Sequence, residues 1–83
     1  MRKSEIKTGM KVVPISKSVY SELNMSSMWE SAKSIGQDFL FVIDEKYCLS
    51  VYKEVIRCAV KNDSRYGDYF LPHDLILYVE VKK

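Results

Sequence analysis

Apolar positions in this chain come in short runs, and most of those runs have strand length. The run "TGMKVVPIS" (8–16) places Met10, Val12 and Val13 after Gly9, which predicts a first strand. Pro14 lacks an N–H and belongs where that strand leaves the sheet. "QDFLFVID" (37–44) is the densest run and predicts a second strand. Between them, Ser27-Met-Trp-Glu30 fits a helix capping box. Met28, Ala32 and Ile35 then follow at helical spacing, and Gly36 is a natural stop.

Residues 45–61, "EKYCLSVYKEVIRCAVK", admit two readings. As a helix, Lys46, Ser50, Lys53, Glu54, Arg57 and Lys61 make a polar stripe. As a strand, Ile56, Cys58 and Val60 alternate with Arg57 and Ala59, and "NDSRYGD" turns the chain into "YFL". Periodicity favours the helix; residue types and the turn at 62–68 favour the strand. The end of the chain reads as strand (69–71), turn at Pro72-His73-Asp74, and closing strand (75–81).

This order of elements, and "YFLPHDLILY" (69–78) above all, resembles an SH3-like small β-barrel, in which a one-turn 3₁₀ piece joins the last two strands. The resemblance implies a mainly β fold: a five-stranded SH3-like barrel with a short helix in the first long loop. The alternative is an α+β fold with a second helix at about 46–61. The Gly-Asp-Tyr-Phe-Leu-Pro-x-Asp-Leu ending is also similar to small uncharacterised bacteriophage and mobile-element proteins. Neither an Ala-Leu-Tyr-Asp-Tyr stretch nor a Trp pair is present, so the barrel carries over and polyproline binding does not.

Size and composition narrow the picture. A chain of 83 residues is expected to be one domain with an ordered core over about 8–81. Its apolar runs are too short to span a bilayer. Its basic start lacks the apolar stretch of a signal peptide, so a cytoplasmic location is expected. Cys48 and Cys58 are then expected to be reduced thiols serving as small core residues. No metal-ligand spacing, phosphate-cradling glycine loop or nucleophile elbow is present, so a non-enzymatic protein without metal or cofactor is expected. His73 sits in a turn that Pro72 and Asp74 explain without catalysis.

Net charge is +2, but its signs are segregated: +4 over residues 1–17, −4 over 18–45 and +3 over 46–67. Segregated charge of both signs suits docking to a protein. The expected function is a protein-interaction module, a phage-type modulator of a host or defence protein, with a bacterial protein as partner. Its docking surface is expected in the loop and helix of 18–36, on Tyr20, Glu22, Met25, Met28, Trp29 and Glu30. The alternative is a nucleic-acid-binding barrel using Lys53, Arg57, Lys61, Arg65 and Tyr66.

Overall fold

The computed structural model describes residues 2–15, 20–21, 28–48 and 54–79. They form a mainly β structure with strands β1 (Lys11–Pro14), β2 (Tyr20–Ser21), β3 (Leu40–Cys48), β4 (Glu54–Ala59), β5 (Asp68–Phe70) and β6 (Leu75–Leu77). One helix, α1 (Met28–Ser34), lies between β2 and β3. The strands make one sheet in the order β2-β5-β4-β3-β1-β6, with every pairing antiparallel. The sheet thus has one strand more than the five expected. The addition is β2, which pairs Tyr20 with Tyr69 and Ser21 with Asp68.

Within the ambiguous stretch, the described residues 45–48 and 54–59 are strand. β3 runs on to Cys48, and β4 pairs Ile56 with Phe70, Arg57 with Tyr69 and Cys58 with Asp68. The expected alternative of a helix across 46–61 is therefore wrong. The physical reason is burial on both sides: Val55, Ile56, Cys58 and Ala59 are all fully buried, so this strand is apolar on either face. A helical polar stripe would have left one side wet.

The β3–β4 register slips between Val42 and Asp44 and again between Asp44 and Tyr47. Each slip is a bulge that adds a residue to β3, bends it and increases its twist. Pro14 pairs with Leu75 of β6, beyond the last β1–β3 pair at Val12–Leu40, so the missing N–H costs the ladder nothing.

The core lies on one face of this sheet. Val12, Leu40, Val42, Ile56, Cys58, Phe70 and Leu75 are buried there with Ile6, and α1 adds Met28 and Ala32. Seven residues make too short a helix to stand alone, so α1 depends on this contact. Ile35 does not join it: the helix ends at Ser34, and Ile35 is exposed. The stop is the expected one. Gly36 takes φ +79°, its N–H donates to the Lys33 carbonyl, and the Gln37 N–H donates to the Ala32 carbonyl. Ser27, the expected cap, lies outside the described residues. The first N–H of α1, that of Met28, donates to Asp68 Oδ2 of β5 at 2.8 Å.

Pro72–Asp74 form a single 3₁₀ turn that hands β5 to β6, as expected. The Asp74 N–H donates to the Leu71 carbonyl, and the Ile15 N–H donates to the Asp74 carbonyl. Among the described residues, no helix is long and apolar enough to cross a membrane.

Candidate functional site

The face of the sheet away from α1 carries a cluster of rings. In β3, alternation sends Leu40 and Val42 into the core and turns the residues between and before them outward. Phe39 and Phe41 meet edge to face at 5.3 Å between centroids, and Tyr78 lies 4.9 Å from Phe39. Lys11, the register partner of Phe41 in β1, places its Nζ 4.6 Å from the Phe39 centroid. Val13 and Ile76, paired across β1 and β6, extend the same face.

β6 is the outermost strand of the described sheet on this side. It carries unusual apolar exposure: Ile76 is 46% and Leu77 52% exposed, with Val79 at 71% just beyond it. Ile15, where β1 ends, is 59% exposed. Of the six exposed large hydrophobic residues described, Ile76, Leu77 and Val79 lie on and just beyond β6, whereas Ile15 lies at the other end of the β1–β6 ladder, past the Pro14–Leu75 pair. Scattered exposed apolar residues need no explanation, but a contiguous group of them usually marks an interaction site.

A second cluster on β3, β4 and β5 has a structural role. Tyr47 and Tyr69 stack at 5.0 Å, and the Arg57 guanidinium lies 5.3 Å from the first ring and 5.9 Å from the second. Arg57 Nη2 also donates to the Arg65 carbonyl at 2.8 Å, and Nη1 is 3.9 Å from Asp44 Oδ2. The guanidinium is thereby committed to holding the β4–β5 hairpin against the bulged strand.

Of the residues expected to bind a protein, Met28, Trp29 and Glu30 open α1. Met28 is buried in the core. Trp29 is half-buried and packs against that core, with Lys33 Nζ 5.5 Å from its ring. Glu30 is exposed and pairs with Lys33 at 3.1 Å. Glu22, Met25 and the Tyr20 side chain lie outside the described residues. Of the basic set, Lys53 also lies outside them, and Arg57 is engaged as above. Lys61, Arg65 and Tyr66 are exposed on the β4–β5 connection.

Cys58 is a free, buried thiol, and burial pushes its pKa well up, with the Asp68 carboxylate adding to the rise. A thiol so disposed behaves as a core residue and not as a nucleophile. The Cys48 side chain lies outside the described residues. His73 is exposed, with Nε2 3.6 Å from Asp74 Oδ1.

Lys11, Phe39, Phe41, Ile76 and Tyr78 were not singled out as a site by sequence reading. The signal was present in "FLFVI" and "LILYV", which are apolar at every position. A strand apolar on both faces has one face to spare when only the other meets the core. Compared with known proteins, the chain matches no family model, no curated protein and no solved structure.

Proposed function

We propose that this chain is a non-enzymatic protein-interaction module that docks its partner at the β1–β6 corner. One observation carries the reading: Ile76 is exposed on the sheet face that holds the Phe39–Phe41–Tyr78 rings, and Leu77 and Val79 are exposed beside it on and just beyond β6. Rings and aliphatic side chains of this kind supply the core of an interface. The docking surface thus moves from the 18–36 segment to the sheet edge, because Met28 and Trp29 contribute to the core.

The fold proposed for it is a small, partly open barrel of the SH3-like kind. Strand order β5-β4-β3-β1-β6, the two bulges in β3 and the 3₁₀ join at Pro72–Asp74 support that reading. In such a barrel β6 borders the opening, where a partner reaches it.

A photo-crosslinking residue at position 77 tests the docking surface, with positions 35 and 66 as exposed apolar comparisons. A discrete, nuclease-insensitive protein adduct from 77 alone, in a bacterial lysate, is expected. Adducts mainly from 66 that vanish with nuclease would instead favour nucleic-acid binding through Lys61, Arg65 and Tyr66.

A further inference from the structure

Residues 2–9 precede the sheet, and Ile6 carries them into its core. That side chain is 1% exposed and belongs to the buried cluster. The chain then turns toward β1, and two bonds close the turn. The Met10 N–H donates to the Lys7 carbonyl at 3.1 Å, and the Lys7 N–H donates to the Met10 thioether sulfur at 3.0 Å. The Gly9 N–H donates to the Val42 carbonyl and the Val42 N–H to the Met10 carbonyl, each at 2.8 Å, which seats Met10 beside β3. Thr8 and Lys7 add contacts at the surface: the Thr8 N–H and hydroxyl donate to Glu45 Oε1 at 3.3 Å, and Lys7 Nζ lies 3.7 Å from Glu45 Oε2. Exposed charge contacts of this kind contribute little.

Met10 is therefore a joint with two duties. Its side chain is half-buried against the core, while its sulfur bonds the Lys7 N–H at the surface. Met28, in α1, is only 8% exposed. A thioether within reach of solvent is open to a hydroperoxide. The sulfur gives an electron pair to one peroxide oxygen, the O–O bond breaks, an S–O bond forms, and water or an alcohol leaves. The sulfoxide is polar and chiral, and its oxygen needs water or a donor. Turning that oxygen out to water draws the sulfur away from the Lys7 N–H and the methyl group away from the core.

We propose that Met10 is a site of reversible oxidation by hydroperoxides, and that its sulfoxide opens the Lys7–Met10 turn and releases Ile6 from the core. The strands beyond it keep their pairing, because the oxidised joint lies before β1 begins at Lys11. A thiol-dependent sulfoxide reductase returns the sulfur to the thioether and closes the turn again. This inference is independent of the docking reading above.

The test treats the full chain with hydrogen peroxide, locates the added oxygen by peptide-mapping mass spectrometry and records amide NMR spectra at each stage. Met10 is expected to oxidise ahead of Met28. In the Met10 sulfoxide, the Ile6 and Lys7 signals should move, and the Lys7 amide proton should exchange about three- to tenfold faster, the worth of one hydrogen bond. Signals of β4 and β5 should stay in place. The two sulfoxide reductases, one for each epimer, should restore the starting spectrum. Met10→Leu keeps the packing volume without the sulfur, so peroxide should leave its Ile6 and Lys7 signals unmoved. Oxidation of Met10 no faster than that of Met28 would overturn the proposal, as would a Met10 sulfoxide with unchanged Ile6 and Lys7 signals. The same shifts in peroxide-treated Met10→Leu would place the change at another residue. Loss of the whole dispersed spectrum would show a general core lesion and overturn the local release of Ile6.

Discussion

The Asp68 carboxylate of β5 accepts the Met28 N–H at the start of α1, forty positions away in sequence and fully buried. This bond ties the first turn of the helix to the sheet. Its other oxygen, Oδ1, is buried with no hydrogen-bond partner among the described residues, so the contact is made at a desolvation cost.

Asp68→Ala should therefore destabilise the fold by about 1–3 kcal/mol, because it leaves the Met28 N–H buried and unpaired. Asp68→Asn keeps an acceptor and should lose less. Urea unfolding followed by Trp29 fluorescence checks both, since Trp29 sits in α1 beside the core. An Asp68→Ala chain as stable as the parent would mean that α1 does not depend on this bond.

Gly67 is fixed by space. A Cβ there would come within 2.6 Å of the Cys58 carbonyl oxygen and 3.0 Å of Ile43 Cδ1. The first neighbour is backbone in the middle of the sheet and has nowhere to go. Gly67→Ala should cost about 1–3 kcal/mol by overpacking. By contrast, nothing lies within 4 Å of the corresponding position at Gly36, where the cost of alanine is confined to its positive φ. Thermal melts of the two variants separate crowding from backbone strain.

Cys58 makes the alkaline limb of stability measurable. Its folded pKa is raised by burial, so the folded chain holds the thiol proton more tightly than the unfolded chain does. The resulting stability is intact below the ordinary thiol value of 9.0 and is lost progressively as pH rises above it. The loss approaches about 1.4 kcal/mol per pH unit for this one group. Parent and Cys58→Ala stabilities, compared between pH 8 and roughly 10.5, should converge at that slope as pH rises. A constant difference across the range would contradict the buried thiol, as would alkylation of Cys58 by iodoacetamide in the folded chain.

The mainly β character and most element positions were legible from the chain. Alternation around Phe39–Asp44, the Gly36 stop and the Pro72–Asp74 turn each have a local cause, and each falls where the pattern predicts. The 54–59 stretch was ambiguous because its polar residues recur at helical spacing. Only the packing of β3 and β5 on either side of it shows why Val55 and Ile56 are both buried. The candidate surface was harder still. Which apolar face of "LILYV" is left over depends on where α1 and Ile6 settle, and that is a long-range outcome with no local signature. Bulky residues near a helix start suit a core as well as an interface; here Met28 is buried in the core and Trp29 is half-buried against it.

Partner capture by three surface variants compares the candidate faces directly. Ile76→Lys with Leu77→Lys alters the β6 corner, Trp29→Ala alters the helix face, and Lys61→Glu with Arg65→Glu alters the basic hairpin. Each variant is first shown by its melting curve to be folded, and the adduct formed by the crosslinker, placed at Val79, is then quantified against the parent. The expected result is that the β6 pair abolishes capture while the other two leave it within about twofold, as for substitutions outside the energetic centre of an interface. Undiminished capture by the folded β6 pair, with loss on Trp29→Ala or on the hairpin charge reversal, would contradict the assignment of docking to the β1–β6 corner.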